Sequence, residues 1–355
     1  MLSSFFDRSV FFQGIGVKGL GLRQLQALPS RLAKANLPDG SSTVNSGILP
    51  VLPIRRGPAA KLSAWMIKRR LTALTRGRFD EWVIWMRFPS PELVSAIRDC
   101  PFARVVYEPV DRYAAEPVFS ANDRQRLGSA EEELARRAMV VTTSAGLAKQ
   151  FDSAGGGSHW LPTGMDTSLK ATRVSRMDAI PRPRLGVVGS LDWLADEALL
   201  LDLAMKRPDW HLVLAGPREG NWGRQLERLP NVYWFGPVKP DEARGLIAAC
   251  DVALNPCVLN EWTEEAFPVK VFDYLAEGRP VVSTQMSELD IFRDLIELVP
   301  SGQFVAAIEQ AMATDGPEAV SRRKQASQRF TAQDRARHAF ELLIDTPTSV
   351  KAMHN

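Results

Sequence analysis

Between residues 184 and 284 the sequence alternates short β-rich runs with segments of helical period, and this pattern restricts the fold more than any other feature. The runs are RLGVVGS, HLVLAG, NVYWFG, DVALNP and PVVST. Nearly continuous apolar strands separated by amphipathic helices predict a doubly wound, mostly parallel sheet. In such sheets ligands sit at the carboxyl ends of the strands. Here those ends read Gly189-Ser190, Gly216-Pro217-Arg218, Gly236-Pro237 and Asn255-Pro256. Small and turn-forming residues there let a ligand approach the backbone.

The first half reads as a second α/β unit, less regular and interrupted by Pro29, Pro50 and Pro53. Strands are expected at 9–12, 47–52, 81–86, 104–107 and 139–143, with helices near 22–35, 61–76, 121–137 and 145–151. A chain of 355 residues, 45% hydrophobic, can bury two ordinary cores of about 150 residues each. The stretch GGGSHWLPTGMDTSLKATRVSRMDAIPRP is rich in Gly, Ser and Pro, so the hinge is expected near 168–182. The expected division is a first domain over 1–170, a second over 180–330, and a closing segment over 331–355.

Residues 263–284, TEEAFPVKVFDYLAEGRPVVST, concentrate the chemistry. Pro268 suits the first helical position, Gly278 the position just past the end, and Pro280 forbids continuation. A helix over roughly 268–277 follows. Lys270 and Asp273 share a face of it, and Glu265 precedes its first turn. A cation at a helix N-terminus suits a diphosphate leaving group, on which negative charge grows in the transition state. The Gly189-Ser190 turn offers further donors.

These residues resemble a known family. Glu265-x7-Asp273 is similar to the E-x7-E signature of many GT-B glycosyltransferases, and PVKVFDYLAEGRPVVST resembles a motif of bacterial exopolysaccharide and teichuronic-acid (family 4-like) transferases. VVYEPVDRY (105–113), LPTGMD (161–166), RPDWHLVLAGP and LPNVYWFGPV extend the likeness over most of the chain. Residues 329–343 look like the family's closing helix, which crosses back to the first domain.

The resemblance implies two facing Rossmann-like domains, with donor on the second and acceptor on the first. It implies a metal-independent transferase without a cofactor, moving a sugar from a UDP- or GDP-sugar to a lipid-linked saccharide in polysaccharide biosynthesis. Gly189, Ser190, Arg218, Val238, Lys270, Val271 and Asp273 form the implied donor-binding set. Within it Lys270 meets the pyrophosphate, Asp273 the ribose and the backbone around Val238 the base. Glu265 would contact the donor sugar, and Asp111 would be the base for the acceptor hydroxyl. In-line attack with Asp111 as base inverts the anomeric centre, and a front-face route retains it. The second acid is Asp where Glu is usual, the Lys often found after the first strand is absent from GSLDWLADE, and Glu264 competes for the role of Glu265.

Other readings are open at this level. Gly14 and Gly16, in GIGVKG at 14–19, match a dinucleotide-binding loop, so an NAD(P)-dependent enzyme is a rival; the acid expected after the second strand is missing. The plainer reading is a glycine turn in the first-domain, acceptor-side loop. A catalytically silent carbohydrate- or membrane-binding relative is a third possibility. His159, His211, His338 and His354 have no metal-binding spacing, no Asp-x-Asp pair exists, and no metal is expected. Cys100, Cys250 and Cys257 leave one over from any disulfide scheme, which points to a reducing compartment.

No stretch reaches about 18 uninterrupted apolar residues, and the start lacks the form of a signal peptide. A cytoplasmic protein is expected, peripheral on the inner face of the cell membrane. The first half is net basic and the second net acidic. Residues 55–79 hold eight cations and no acid. With Trp65, Leu62 and Met66 beside Arg69 and Arg70, this run is suited to an anionic membrane surface. No nucleic-acid motif accompanies it.

Overall fold

The computed structural model describes residues 9–10, 43–44, 58–116, 119–153 and 157–345. Gly14, Gly16, the expected helix at 22–35 and the expected strand at 47–52 lie outside them. The described residues form two compact units. One holds the residues up to Thr143, Leu147–Leu161 and those from Ala336 onward; the other holds Ser144–Gly146 and Pro162–Arg335. The units therefore part at Leu161/Pro162, earlier in the chain than the Gly/Ser/Pro-rich composition suggests. The reason is a long-range pairing: Met165 forms a bridge with Thr331, which fastens this stretch to the second unit.

In the first unit β1 (Ser9–Val10) and β2 (Thr43–Val44) pair in parallel. A separate four-stranded parallel sheet runs in chain order through β3 (Val83–Met86), β4 (Arg104–Tyr107), β5 (Met139–Thr142) and β6 (Ser158–Trp160). Helices α1 (Pro58–Thr75), α2 (Pro91–Ile97), α3 (Ala121–Arg137) and α4 (Ala145–Ser153, of which Ala145 and Gly146 count with the second unit) connect them. Successive strand residues face opposite sides, so Ile84, Met86, Tyr107 and Val140 join Ile67, Leu71, Val94 and Leu134 in one core. On the other face Val106, Val141 and Leu161 pack with Ala339, Leu342 and Leu343.

The second unit carries a six-stranded, wholly parallel sheet. Its strands are β7 (Arg184–Val188), β8 (His211–Ala215), β9 (Val232–Gly236), β10 (Val252–Asn255), β11 (Val281–Ser283) and β12 (Glu297–Leu298). Their spatial order is β12-β11-β10-β7-β8-β9. Helices α5 (Glu197–Lys206) and α8 (Phe304–Ala313) cover one face through Leu200, Leu203, Phe304 and Ile308. Helices α6 (Pro240–Ala249) and α7 (Lys270–Ala276) cover the other through Leu246, Ile247, Val271 and Leu275. Period-two alternation decides which residue meets which layer: Leu212 and Leu214 face α5, while Val213 and Ala215 face α6. Helix α9 (Pro317–Ser327) packs on α7, as Val320 and Lys324 closing on Gly278 show.

Helix α10 (Ala332–Asp345) starts in the second unit, where Ala332 donates its N–H to the Met165 carbonyl at 2.8 Å. It ends in the first, with Ala339 1% exposed in that unit's core. The closing helix thus belongs to both units, as the resemblance implies.

Candidate functional site

The carboxyl ends of β7, β8 and β9 are tied together by two glycines. Gly189 donates its N–H to the Ala215 carbonyl at 2.9 Å, and Gly216 donates to Gly236 at 2.8 Å. Both have positive φ, 141° and 138°, a region that side-chain-bearing residues avoid. A Cβ on Gly216 would lie 1.9 Å from the Gly189 carbonyl oxygen. The turn is therefore compact because it lacks side chains. The atoms nearest to a Cβ on Gly189 would be those of the Lys270 side chain, with Cε at 3.4 Å and Nζ at 3.6 Å.

Lys270 reaches that turn because of how α7 begins and ends. Val271 donates to the Pro268 carbonyl and Phe272 to Val269, at 3.0 and 3.1 Å, so the opening turn is tight and starts at Pro268. At the other end Gly278 donates to Leu275 at 2.9 Å and Arg279 to Tyr274 at 3.0 Å, with Gly278 at φ 71°. That is a Schellman stop, and it bears out the bracketing by Pro268 and Gly278. Between these ends Val271, Phe272, Tyr274 and Leu275 are buried, which fixes the helix face.

Lys270 carries no salt bridge among the described residues. Loss of hydration lowers its pKa, and the Cys257 thiol and Asp192 carboxylate offset this in part. A half-buried, unpaired ammonium beside a glycine turn is an anion site in electrostatic terms. Asp192 lies in the loop after β7, where its carboxylate accepts from the Leu194 N–H at 3.0 Å.

Asp273 has different neighbours from Lys270. Its carboxylate is 3.5 Å from Arg244 of α6, whose guanidinium also bonds Glu277 at 2.5 Å. Burial raises the Asp273 pKa, the nearby Arg244 charge lowers it, and Glu277 raises it again. Arg244 is 8% exposed and was not singled out from the sequence. The signal was present: an arginine just before Leu246 and Ile247 on an amphipathic helix must bury its stem and find acids.

Glu265 is half-buried, with Cγ 3.0 Å from where a Cβ on Gly146 would stand. Gly146 belongs to the second unit, and its N–H and that of Ala145 donate to the Glu288 carboxylate at 2.7 and 2.8 Å. Glu288 is another residue that sequence reasoning missed. Glu264 is exposed, and its carbonyl accepts from the Ser287 hydroxyl at 2.9 Å.

Two expected donor-site members have other partners in this structure. The Val271 side chain is 0% exposed in the core, and its N–H bonds the Pro268 carbonyl, so neither group faces a ligand. Arg218 follows β8 as expected, but its guanidinium pairs with Glu227 and sits 5.0 Å over the Trp234 ring. Both partners draw it away from Lys270's role. Ser190 is exposed beside Gly189, and Val238 is half-buried in the loop between Gly236 and α6.

In the first unit, Asp111 lies in the loop after β4. Burial raises its pKa to about 6, against the lowering influence of Arg87. Arg87 is held near by Glu108, at 3.6 Å, and Glu108 in turn accepts from the Trp85 indole N–H at 2.6 Å. Tyr113 donates its hydroxyl to the Arg87 carbonyl at 3.0 Å. On α1, Leu62 and Trp65 are 48% and 55% exposed, with Arg69 5.5 Å over the Trp65 ring. Arg70 is exposed, Met66 half-buried.

Among the described residues no three His, Cys, Asp or Glu converge to hold a metal. No described helix is long and apolar enough to cross a membrane.

The chain is similar to a known family, a known relative and solved structures. Residues 182–314 match the family of glycosyl transferases group 1. A Bacillus subtilis (strain 168) protein described as a teichuronic acid biosynthesis glycosyltransferase, TuaH, is 28% identical over 258 residues. The match covers 66% of this chain, and the chain spans 64% of that relative's length. Among solved structures, sucrose-phosphate synthase from Thermosynechococcus elongatus superposes with a TM-score of 0.66 at 18% identity, over 91% of this chain and 92% of that one. An E. coli structure described as trehalose-6-phosphate bound with UDP-2-fluoro glucose has a TM-score of 0.62 at 12% identity, over 83% and 80%.

Proposed function

We propose that this chain, which has the GT-B glycosyltransferase fold and a group 1 glycosyl transferase domain over residues 182–314, transfers a sugar from a nucleoside diphosphate to a saccharide in cell-wall polysaccharide synthesis. The observation that carries the reading is Lys270 against the Gly189 turn at the carboxyl ends of the strands. A bound diphosphate would draw the Lys270 ammonium and the turn's backbone dipoles onto its oxygens. In the reaction the bond from the anomeric carbon to the diphosphate breaks, its electron pair stays on the diphosphate, and the acceptor oxygen bonds to that carbon.

Asp111, with a pKa of about 6, is the proposed base for the acceptor hydroxyl: ionised at neutral pH, yet basic enough to take the proton. Asp273 and Glu265 are the proposed contacts to ribose and donor sugar. The backbone at Val238 is the proposed contact to the base. Lys270 supplies the charge that a divalent cation supplies elsewhere, so turnover is expected to persist in EDTA. The exposed face of α1, bearing Leu62, Trp65, Arg69 and Arg70, is proposed to visit an anionic bilayer, where a lipid-linked acceptor would be met.

The test is turnover of UDP- and GDP-sugars with saccharide acceptors, read as nucleoside diphosphate release and acceptor mass gain. Release with a matching mass gain supports the reading. No turnover of any donor, or preferential binding of NAD, overturns it.

A further inference from the structure

The second unit's sheet opens at its centre. Strands β7 and β10 pair only at Leu185–Val252 and Gly186–Ala253. Beyond that point β7 stays with β8 as far as Val188–Ala215, and β10 stays with β11 as far as Asn255–Ser283. The strand order reverses direction here, so the parting lies at the topological switch point, where α/β sheets bind ligands.

The Tyr274 hydroxyl reaches both strands at the parting. Tyr274 is 0% exposed, and its hydroxyl accepts from the Val188 N–H at 3.1 Å. It also lies 3.1 Å from the Val188 carbonyl and 3.3 Å from the Leu254 carbonyl, one of which takes its single proton. Burial holds the phenol above its usual range, so it remains a neutral donor. One hydroxyl thus replaces the ladder bonds that β7 and β10 would otherwise exchange. Tyr274 stands one helical turn after Lys270, and Val188 directly precedes Gly189. The bond therefore fixes the helix that carries the ammonium to the strand that carries the turn.

We propose that the Tyr274 hydroxyl is a positioning residue for diphosphate binding, holding β7 and β10 apart and setting Lys270 against Gly189. The inference rests on the donor reading above. Loss of the hydroxyl would leave the Val188 N–H without its acceptor and let the strands or α7 shift, which moves Lys270 toward water.

The experiment compares wild type, Tyr274→Phe, Lys270→Ala and the double variant by calorimetry with UDP, GDP and the matching nucleosides. Tyr274→Phe is expected to weaken diphosphate binding about three- to tenfold, the effect of one buried hydrogen bond, and to leave nucleoside binding unchanged. In the Lys270→Ala background the same change should add little, because the hydroxyl acts through Lys270.

A second readout needs no ligand: the Lys270 titration followed by NMR on 13C-methylated lysines. Lys270 faces the Cys257 thiol and the Asp192 carboxylate, both retained in Tyr274→Phe, so an upward shift in that variant reports regained hydration. Equal losses for diphosphate and nucleoside, an undiminished effect in the Lys270→Ala background, or an unmoved Lys270 titration overturns the proposal. If wild type binds neither diphosphate, the donor reading fails, and the Lys270 titration still decides the positioning role. If Tyr274→Phe does not fold, amide exchange of Val188 in wild type decides: slow exchange supports the pin, and fast exchange overturns it.

Discussion

Lys270 lies along the bare α-carbon of Gly189, its Cε 3.4 Å from the point where a side chain would begin. The contact exists because β7 is followed by a residue with no Cβ at φ 141° and because the turn that opens α7 begins at Pro268. Gly189→Ala should cost about 1–3 kcal/mol of stability from backbone strain. Gly216→Ala should cost more, since its Cβ would fall 1.9 Å from the Gly189 carbonyl, a backbone atom with no freedom to rotate away. Denaturant midpoints of the two variants check the order, and a milder Gly216→Ala would mean the two strand ends relax easily.

Asp111 gives a pH-dependent prediction. Its pKa is raised from 3.8 to about 6 by burial, so the native state favours the neutral carboxyl. Below pH 3.8 it is protonated in both states and costs nothing. As pH rises from about 4 to 6 the unfolded chain ionises first, and stability falls by on the order of 1–3 kcal/mol. Asp111→Asn should therefore stabilise the protein at pH 8 and not at pH 4, as read by thermal melts at both values. The same variant should lower turnover about 10²–10⁴-fold and abolish an acid limb near pH 6. Near-normal turnover would reduce Asp111 to a turn residue.

The surface of α1 yields a third. Each engaged cation near an anionic bilayer contributes about 1 kcal/mol, fading over a Debye length. Co-sedimentation with vesicles should rise with anionic lipid and fall with salt. Changing Trp65, Arg69 and Arg70 together should reduce it while the melting temperature holds, because Trp65 is 55% exposed and the core face of the helix, Ile67 and Leu71, is untouched. Wild type indifferent to anionic vesicles at low salt would point to a water-soluble acceptor.

The sheet of the second unit was legible because its strands are near-continuous apolar runs ending in glycine or proline, and the Lys270 helix because Pro268 and Gly278 are chemical punctuation. The sequence does not reveal which partner draws a side chain. Arg218 follows its strand as expected, yet Glu227 and Trp234 take it. Val271 sits beside Lys270 in sequence, yet its side chain is buried in the core. Arg244, Glu288 and Tyr274 act through contacts 20 to 143 positions away, beyond the reach of any local pattern. Where the units part is likewise set by a long-range contact, the Met165–Thr331 bridge.

The central claim is that Lys270 and the Gly189 turn hold the diphosphate of a nucleotide donor, and calorimetry on Lys270→Ala tests it most directly. Removing the ammonium should weaken UDP or GDP binding by about 1.5–3 kcal/mol, the worth of a charge-assisted bond, while the matching nucleoside binds as before. Because Lys270 has a lowered pKa, wild-type diphosphate affinity should also decline with rising pH earlier than an ordinary lysine would cause, and Lys270→Ala should lack that decline. Equal losses for diphosphate and nucleoside, or no loss for either, would contradict the account.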